Sequence, residues 1–574
     1  MDDTQEAVLA FLADPPTHGG EAVKRIDTHA AIVFLAGTRA FKVKRAVRFP
    51  FLDYSTLERR KEACEAELRI NRPLAAEIYC RVLPITREGG SRLALGGAGT
   101  PIEWAVEMRR FDENATLDHL AAAGRIDTQL ADALGRAVAT AQELISRQAA
   151  QGQKPAVEPA RWIEALAGYI EEHVAAFSDE PDLFPAARVG SLAAASRAAH
   201  SRAHALLVSR GQRGLIRRIH GDLHLGNVVL LDGRPVLFDA IEFSPIIGCG
   251  DVLYDLAFLL MDLTERGLQP AANVVFNRYL VDTRRAEDLD ALAALPLFLS
   301  MRAAIRAKVS AARLAYAAPA ERPAIENSAR NYFDFACRFI APEAPMPPPQ
   351  GEGGDPGLEP GEPGGALVSI RDSPHPAASA TLRRPASPFG EGIGAPVLVA
   401  VGGLSGTGKS LLARALAADL APAPGAVVLR SDVERKALFE KAETEKLPEH
   451  AYAAPVTARV YATVADKARR AVAAGHSAVV DAVFAKPEER KLMAQSAAAL
   501  GARFFGLFLH ADVSTRIARL GRRSLDASDA DATIAQAQES YDLGPLQWTR
   551  IDASGTPDET LARARAALKL PASA

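Results

Sequence analysis

Three polar side chains near residue 230 have the types and the order that a metal-nucleotide site needs. Asp222 lies in the run HGDLHLGN at residues 220–227, Asn227 ends that run, and Asp239 follows a short strand-like segment. A carboxylate can accept the proton of an attacking hydroxyl, and amide and carboxylate oxygens are hard ligands for Mg²⁺ that bridges phosphates. We therefore expect Asp222 to be the proton acceptor and Asn227 and Asp239 to be Mg²⁺ ligands. An isolated HGD is also compatible with a turn and an N-cap aspartate.

A second chemical motif lies near residue 405. The apolar run 397–401 leads directly into GGLSGTGKS, and residues 411–420 have a helical pattern. Glycines permit a tight loop that aims backbone N–H groups at phosphate, and the helix N-terminus adds partial positive charge. This P-loop pattern predicts that Lys409 bridges the β- and γ-phosphates of ATP and that Ser410 ligates Mg²⁺. The predicted nucleotide-binding residues are Gly403, Ser405, Gly406, Thr407, Gly408, Lys409 and Ser410.

Two further strand-like runs of the C-terminal part each lead to an acid. Residues 426–429 precede Asp432, and residues 477–480 precede Asp481. Ligands bind at the carboxyl ends of strands in open α/β sheets. We expect Asp432 to orient or deprotonate a substrate hydroxyl and Asp481 to hold Mg²⁺. Both could instead be helix N-caps.

An arginine cluster precedes the acidic segment 526–530, and its members are Arg516, Arg519, Arg522 and Arg523. The cluster predicts a mobile lid that closes over the phosphates and stabilises developing charge. We expect Arg519 and Arg523 to contact ATP. A solvated basic helix face is the alternative interpretation.

The elements of the N-terminal part follow from its patterning. Runs 32–35 and 40–43 around Gly37 predict a β-hairpin, and Lys42 and Lys44 point to one face of its second strand. Residues 56–70 read as a charged helix with Asp53 and Ser55 as candidate N-caps. Run 102–108 is strand-like, and a long alanine-rich helix is expected from about residue 117.

The composition predicts how the chain divides into domains and which classes of protein it can belong to. Residues 342–395 contain 12 Pro and 10 Gly in 54 positions, which predicts a disordered linker between domains at 1–341 and 396–574. A net charge of −3 argues against nucleic-acid binding. The apolar runs are too short to span a bilayer, and the N-terminus lacks a signal-peptide pattern. Four scattered cysteines predict reduced core thiols, so we expect a cytoplasmic protein whose oligomeric state is open.

The N-terminal motif resembles the aminoglycoside phosphotransferase and choline kinase superfamily, which is related to the protein kinases. The resemblance rests on residues 220–227, on FDAIEF at 238–243 and on residues 251–257. It implies Asp222 as catalytic base, Lys42 at the α/β-phosphates, and a helix glutamate, Glu67 or Glu65, as its partner. Lys44 could replace Lys42. It also implies that the backbone around Met108 meets adenine.

The C-terminal motifs resemble small-molecule P-loop kinases near gluconate kinase and the zeta-toxin-like group. Together the resemblances imply an α+β protein-kinase-like domain linked to an α/β P-loop domain with a parallel sheet. They imply ATP- and Mg²⁺-dependent transfer to hydroxyl groups of small molecules at two sites. The sequence departs from the kinase pattern at residues 25–30, before the hairpin, where it has no glycine-rich phosphate loop. The alternative is a nucleotide-dependent regulatory protein with a pseudokinase domain and a P-loop switch.

Overall fold

The computed structural model describes residues 3–28, 30–49, 52–90, 92–150, 157–341, 395–521 and 527–570. The predicted linker at 342–395 lies outside the described residues except for Ala395. Within these ranges, no helix combines the length and apolar character that crossing a membrane requires. All four cysteines are free thiols, and Cys80 is exposed rather than part of the core.

The first lobe of the N-terminal domain is a six-stranded antiparallel sheet in the order β1-β2-β3-β8-β6-β7. Helix α1 packs its apolar face on this sheet, because Val8, Leu9 and Leu12 share a core with Phe34 and Phe41. The elements are α1 (Asp3–Ala13), β1 (Val23–Asp27), β2 (Ala31–Ala36), β3 (Arg39–Lys44), β4 (Arg48–Phe49), β5 (Leu52–Asp53), α2 (Leu57–Asn71), β6 (Tyr79–Arg87), β7 (Leu93–Leu95) and β8 (Thr100–Arg109).

The second lobe is mainly helical, with one β-hairpin and one short strand pair. Helix α7 lies at its centre, and its residues from Val252 to Thr264 are all buried, including Asp255 and Asp262. The helices are α3 (Leu117–Ala122), α4 (Thr128–Ala150), α5 (Pro159–Ser178), α6 (Ala186–Gln212), α7 (Val252–Glu265), α8 (Gln269–Thr283), α9 (Ala286–Asp290), α10 (Leu295–Ala312) and α11 (Arg322–Ile340). The strands are β9 (Ile216–Arg218), β10 (Val228–Leu231), β11 (Arg234–Leu237) and β12 (Cys249–Asp251).

The predicted elements of the N-terminal domain are present, with two corrections. The hairpin β2–β3 turns at Gly37, whose φ of 53° suits glycine. The N-cap of α2 is Thr56, whose side chain accepts from the Arg59 N–H, rather than Asp53 or Ser55. The single long helix expected from residue 117 is instead two helices, α3 and α4, because the chain turns at Gly124 with φ 66°.

The C-terminal domain is a five-stranded parallel sheet in the order β14-β15-β13-β16-β17, with helices around it. Every residue of β13 is buried, which explains its continuous apolar run. The strands are β13 (Val397–Gly403), β14 (Val427–Arg430), β15 (Ala478–Asp481), β16 (Arg503–His510) and β17 (Thr549–Asp552). The helices are α12 (Lys409–Ala417), α13 (Ser431–Leu438), α14 (Ala454–Ala473), α15 (Pro487–Ala498), α16 (Val513–Gly521), α17 (Ala532–Ala537) and α18 (Pro557–Leu568). The predicted fold class is confirmed.

The two domains meet where α8 lies along the edge strand β14. The Asn277 side chain accepts from the Val428 N–H at 2.7 Å and donates to the Ala426 carbonyl at 3.1 Å. Asn273 donates to the same carbonyl at 3.1 Å. Two asparagines thus take the place of a neighbouring strand and satisfy backbone groups that an open sheet edge leaves unpaired.

Candidate active sites

Lys42 and Lys44 are two residues apart on β3, so their side chains lie on the same face of the strand. Both side chains reach helix α2. Lys42 Nζ lies 2.9 Å from Glu67 Oε1 and 2.6 Å from Asp239 Oδ1. Lys44 Nζ lies 2.6 Å from the other oxygen of Glu67. Lys42 is therefore the lysine that joins Glu67 to Asp239, and Lys44 supports Glu67 from the other side.

Glu67 is fully buried, whereas Glu65 is half exposed and faces Lys61 at 3.8 Å. Burial alone would raise the pKa of Glu67, but the charges of Lys42 and Lys44 outweigh it and lower that pKa. The structure thus brings Glu67, and not Glu65, to the lysines as an ionised carboxylate.

Asp222 and Asn227 face each other in the loop that follows β9. Asn227 Nδ2 donates to the Asp222 carbonyl at 2.9 Å and to Asp222 Oδ2 at 3.0 Å. The Phe238 N–H donates to the Asn227 carbonyl at 3.0 Å, which holds the end of the β10–β11 hairpin against this loop. Asp239 comes next, in a left-handed conformation with φ 60°. The three residues predicted to act together therefore lie in one loop–hairpin unit.

Helix α7 holds this loop through two buried carboxylates. Asp255 accepts from the N–H groups of His220 at 3.1 Å and Gly221 at 2.9 Å. Two turns further along α7, Asp262 accepts a hydrogen bond from the Leu225 N–H of the same loop at 2.9 Å. Asp255 lies within residues 251–257, on which the family resemblance rests. Asp262 was missed, although its place seven residues later on the same face of α7 is a usable signal.

Asp222 is ionised in this setting. Burial would raise the pKa of Asp222, but the hydrogen bond and charge of His224, followed by the charges of His220 and Arg302, hold it well below the usual range. Arg302 also donates to the Gly221 carbonyl at 3.1 Å and so fixes the loop from α10. His224 lies on the rim, with Nε2 3.5 Å from Asp222 Oδ2.

The donor set at this site suits a magnesium ion. Mg²⁺ prefers oxygen ligands and usually keeps water and phosphate oxygens in its shell. Because Asn227 Nδ2 donates to Asp222, the amide oxygen of Asn227 is the atom left for a metal ion. Asp239 offers a carboxylate that Lys42 contacts at 2.6 Å. Asn227 and Asp239 could therefore hold Mg²⁺ together with a nucleotide.

Met108 lies near the end of β8, where that strand runs towards the helical lobe. It is paired with Ala40 on one side and Tyr79 on the other. The neighbouring Glu107 is buried and forms ion pairs with Arg81 and Arg39, so its side chain belongs to the sheet. The predicted adenine-facing backbone thus lies on the strand that joins the lobes.

The P-loop connects the buried strand β13 to α12. Gly406 has φ 84°, and a Cβ there would lie 2.6 Å from the Arg516 carbonyl oxygen, so only glycine fits. Lys409 Nζ donates to the Leu404 carbonyl at 3.1 Å, and the Ser405 N–H donates to Gln538 Oε1 at 2.7 Å. Gly403 and Gly408 also have positive φ, as the tight phosphate-binding loop requires.

Ser410 and Asp481 converge on one cation, the guanidinium of Arg430. Arg430 donates to Ser410 Oγ at 3.0 Å and to Asp481 Oδ2 at 3.2 Å. A hydroxyl and a carboxylate that share one positive group are suited to share Mg²⁺ as well. The structure therefore places the two predicted metal ligands of this domain together.

Asp432 lies in the first turn of α13, next to this group. Burial raises the pKa of Asp432, and the nearby charge of Asp481 raises it further. Arg430 occupies the N-cap position of α13, and Asp481 is the last residue of β15. Neither acid is therefore an N-cap, which removes the structural alternative considered for both.

The arginine cluster behaves differently from the predicted lid. Arg516 is buried and donates to the Ser405 carbonyl at 2.8 Å, so it supports the P-loop from below. Arg519 donates to the carbonyls of Ser554 and Gly555, and the structure does not bring it to the P-loop. Arg523 lies outside the described residues. Of the predicted cluster, Arg516 and Arg519 lie on α16, and the sequence did not show which face of that helix each one occupies.

Comparison with known proteins agrees with this geometry. Residues 33–295 match the model of the phosphotransferase enzyme family, and residues 398–543 match that of an AAA domain. An uncharacterized protein of Mycobacterium tuberculosis strain H37Rv is 28% identical over 555 residues, covering 94% of each chain. An uncharacterized protein of Mycobacterium bovis has the same identity and coverage.

Two solved structures match separate parts of the chain. A choline/ethanolamine kinase family protein from Mesorhizobium loti is 15% identical, covers 59% of this chain and 95% of its own, and has a TM-score of 0.36. A gluconokinase from Sinorhizobium meliloti is 21% identical, covers 30% of this chain and 92% of its own, and has a TM-score of 0.23. The family-model matches confirm the resemblances inferred from the motifs: this chain carries a domain of the phosphotransferase enzyme family followed by a P-loop kinase-like domain.

Proposed function

We propose that the protein is an ATP- and Mg²⁺-dependent phosphotransferase with two kinase-type sites that act on hydroxyl groups of small molecules. The observation that carries this proposal is the linked set in the N-terminal domain, in which Lys42 joins Glu67 to Asp239 and Asn227 contacts Asp222. A fold that only bound nucleotide would have no need for an ionised, hydrogen-bonded carboxylate in the catalytic loop.

In the N-terminal site, each residue has a role that follows from its contacts. Lys42 neutralises phosphate charge and is kept cationic, because Asp239 and Glu67 raise its pKa well above the usual value despite its burial. Asp222 orients the acceptor hydroxyl and takes its proton as the phosphoryl group leaves ATP. Asn227 and Asp239 hold Mg²⁺, which neutralises the charge on the phosphates.

In the C-terminal site, the P-loop amides and Lys409 hold the phosphates, and Ser410 and Asp481 hold Mg²⁺. Asp432 is the acceptor-side carboxylate. Its raised pKa suits a group that exchanges a proton with a substrate hydroxyl, because general bases work best with a pKa near the working pH. Ser410 and Asp481 would hold Mg²⁺ there, and Arg430, which contacts both, is a guanidinium close enough to the site to bind phosphate.

We expect the partner of both sites to be a small molecule rather than a nucleic acid, because the chain has a net charge of −3 and not a basic excess. The use of ATP as donor fits the cytoplasmic location expected from the sequence. Acceptor-dependent release of ADP tests the proposal, with fractionated bacterial metabolites added to the full-length protein. We expect some fractions to stimulate ADP release and EDTA to abolish it. Release that is the same with every fraction and with none would contradict phosphoryl transfer to a metabolite.

The second candidate is a nucleotide-dependent regulator whose N-terminal domain only senses ligands. The β1–β2 turn favours it, because residues 27–31 contain no glycine that could wrap the phosphates. Under this candidate, ADP release would depend on Lys409 alone, and Asp222 would matter only for folding. The Asp222→Asn comparison described in the Discussion separates the two.

A further inference from the structure

A cavity of about 1210 Å³ lies between the two domains. Its walls are α4 and α8 on one side and β14 and α13 on the other. Among the described residues that line it, none belongs to the catalytic loop at 220–227 or to the P-loop at 403–410. The cavity is thus apart from the N-terminal site and adjoins the P-loop site at Arg430, which contacts Ser410 and Asp481, and its volume would hold a metabolite-sized ligand.

The lining of this interdomain cavity is strongly cationic. Ten Lys or Arg side chains line it against five Asp or Glu side chains, although the whole chain has a net charge of −3. A concave site lined by one sign of charge focuses the electric field and concentrates counter-ions. The cavity therefore favours an anion.

Four of the five acids are already paired with cations of the wall, including Asp282, which lies 3.2 Å from Arg278. Arg278 lies 2.6 Å from Asp132 and 2.7 Å from Glu443, and it links the two domains in doing so. Lys467 lies 2.6 Å from Glu434. Four further cations of the wall pair with acids outside the lining, namely Arg285, Arg430, Lys436 and Lys441. Arg217 on β9 and Arg284 directly after α8 have no ion pair among the described residues.

Arg217 and the C-terminal end of α8 present polar atoms without partners. Arg217 Nε and Thr283 Oγ1 are shielded from solvent, and neither has a hydrogen-bond partner among the described residues. Both side chains line the cavity, as do the next two arginines, Arg284 and Arg285. Burial, and then the charge of Arg285, lowers the pKa of Arg217, while Asp288 already pairs with Arg285 at 2.9 Å. An anion beside Arg217 would supply the acceptor that its Nε lacks.

We propose that the interdomain cavity binds a phosphomonoester of a small molecule. The phosphate would lie against Arg217, Thr283 and Arg284, since guanidiniums match phosphate oxygens in geometry and charge. The organic part would extend along β14, where Val427 and Leu429 provide apolar wall. This ligand touches both domains at once, and its binding does not depend on turnover at either active site.

The test is calorimetric titration of the full-length protein with nucleotide sites filled by excess Mg·ADP. The probes are glycerol 3-phosphate, glucose 6-phosphate and AMP, with glucose and inorganic phosphate as comparisons. We expect at least one phosphomonoester to bind once per chain, more tightly than inorganic phosphate, while glucose does not bind. Arg284→Asn should weaken binding about 10–100-fold, the usual range for loss of a charged hydrogen bond.

Arg284 has φ 52°, a conformation that asparagine tolerates, so this variant removes the charge without straining the backbone. Lys569→Asn is the matched control, because Lys569 is an exposed helix C-cap with φ 58° that does not line the cavity. Thr283→Val, which is nearly isosteric, should also weaken binding. The proposal is overturned if no phosphomonoester binds, if inorganic phosphate binds equally well, or if both cavity variants bind as the wild type does.

Discussion

At the scale of single residues, the N-terminal site is a chain of buried charges that support one another. Lys44 is almost fully buried and lies between Glu67 and Glu242, while Lys42 lies between Glu67 and Asp239. Buried charges of this kind persist only when paired, because desolvation of an unpaired ion costs several kcal/mol. The alternating spacing of the lysines predicted that they share a face, but spacing could not reveal that they share one carboxylate.

Asp222→Asn should lower the transfer rate of the N-terminal site about 10²–10⁴-fold, because it removes the proton acceptor while retaining the size of the side chain. Asp232→Asn is the matched control. Asp232 lies in the adjacent β10–β11 turn with φ 49°, where asparagine is well tolerated. Steady-state rates for both variants check the prediction. An equal loss in both, or no loss in Asp222→Asn, would contradict the assigned role.

Glu67→Gln should destabilise the N-terminal domain by about 3–5 kcal/mol at neutral pH, because it leaves two buried lysines short of a counter-charge. The pKa of Glu67 is lowered in the folded state, so its stabilising effect is present above its unfolded pKa and lost as pH falls below it. The difference in Tm between wild type and variant should therefore shrink as the pH falls from about 4.5, the unfolded pKa of glutamate, towards the folded pKa of about 2. Thermal unfolding across this range tests the claim, and a pH-independent difference would refute it.

At the scale of elements, the predictable features were local and the missed ones depended on tertiary contacts. The strand–loop–helix around the P-loop follows from consecutive residues, so its glycines and Ser410 could be located from sequence alone. By contrast, Asp262 reaches Leu225 across 37 positions, and Arg516 reaches Ser405 across 111. Arg519 was expected over the phosphates because it belongs to the arginine cluster. The direction in which its helix faces depends on tertiary contacts, which the sequence does not show.

Gly406→Ala should weaken ATP binding by the C-terminal domain about 10–100-fold, since forcing a side chain into this backbone costs about 1–3 kcal/mol. The added Cβ would also lie 2.6 Å from the Arg516 carbonyl. Gly501→Ala has a comparable φ of 64° with open space around its Cβ, so it isolates the effect of the clash. Titration with a non-hydrolysable ATP analogue measures the affinity of both variants. If Gly501→Ala weakens binding as much, the P-loop geometry is not the cause.

At the scale of the whole molecule, the domains are joined by more than the linker. The asparagines of α8 form hydrogen bonds with backbone groups at the edge strand β14. Arg470 also pairs with Asp290 at 2.6 Å, and Phe276 packs against His476 with ring centroids 6.0 Å apart. Composition predicted two domains on either side of a linker, but nothing in it indicated that the domains touch. Asn273 and Asn277 look like ordinary helix residues until the facing strand is known.

Asn277→Leu should loosen this contact, because it leaves the Val428 N–H without its partner at a cost of about 1–3 kcal/mol. A protease site inserted in the linker allows the two halves to be cut apart after folding. We expect the cut wild type to co-elute on gel filtration and the cut variant to separate. Asn331→Leu, on α11 and away from the interface, should behave as the wild type. Separation of the cut wild type would contradict the contact itself.

The central claim is that one chain carries two working phosphotransferase sites. The most direct measurement is transfer of labelled γ-phosphate from ATP into a bacterial metabolite extract by wild type, Asp222→Asn, Lys409→Ala and the double variant. Each protein is first checked for native folding by thermal unfolding. We predict distinct labelled products, one set lost with Asp222→Asn and another with Lys409→Ala, and none from the double variant. Labelling that survives Asp222→Asn unchanged and vanishes with Lys409→Ala would contradict the claim and leave the N-terminal domain as a sensor.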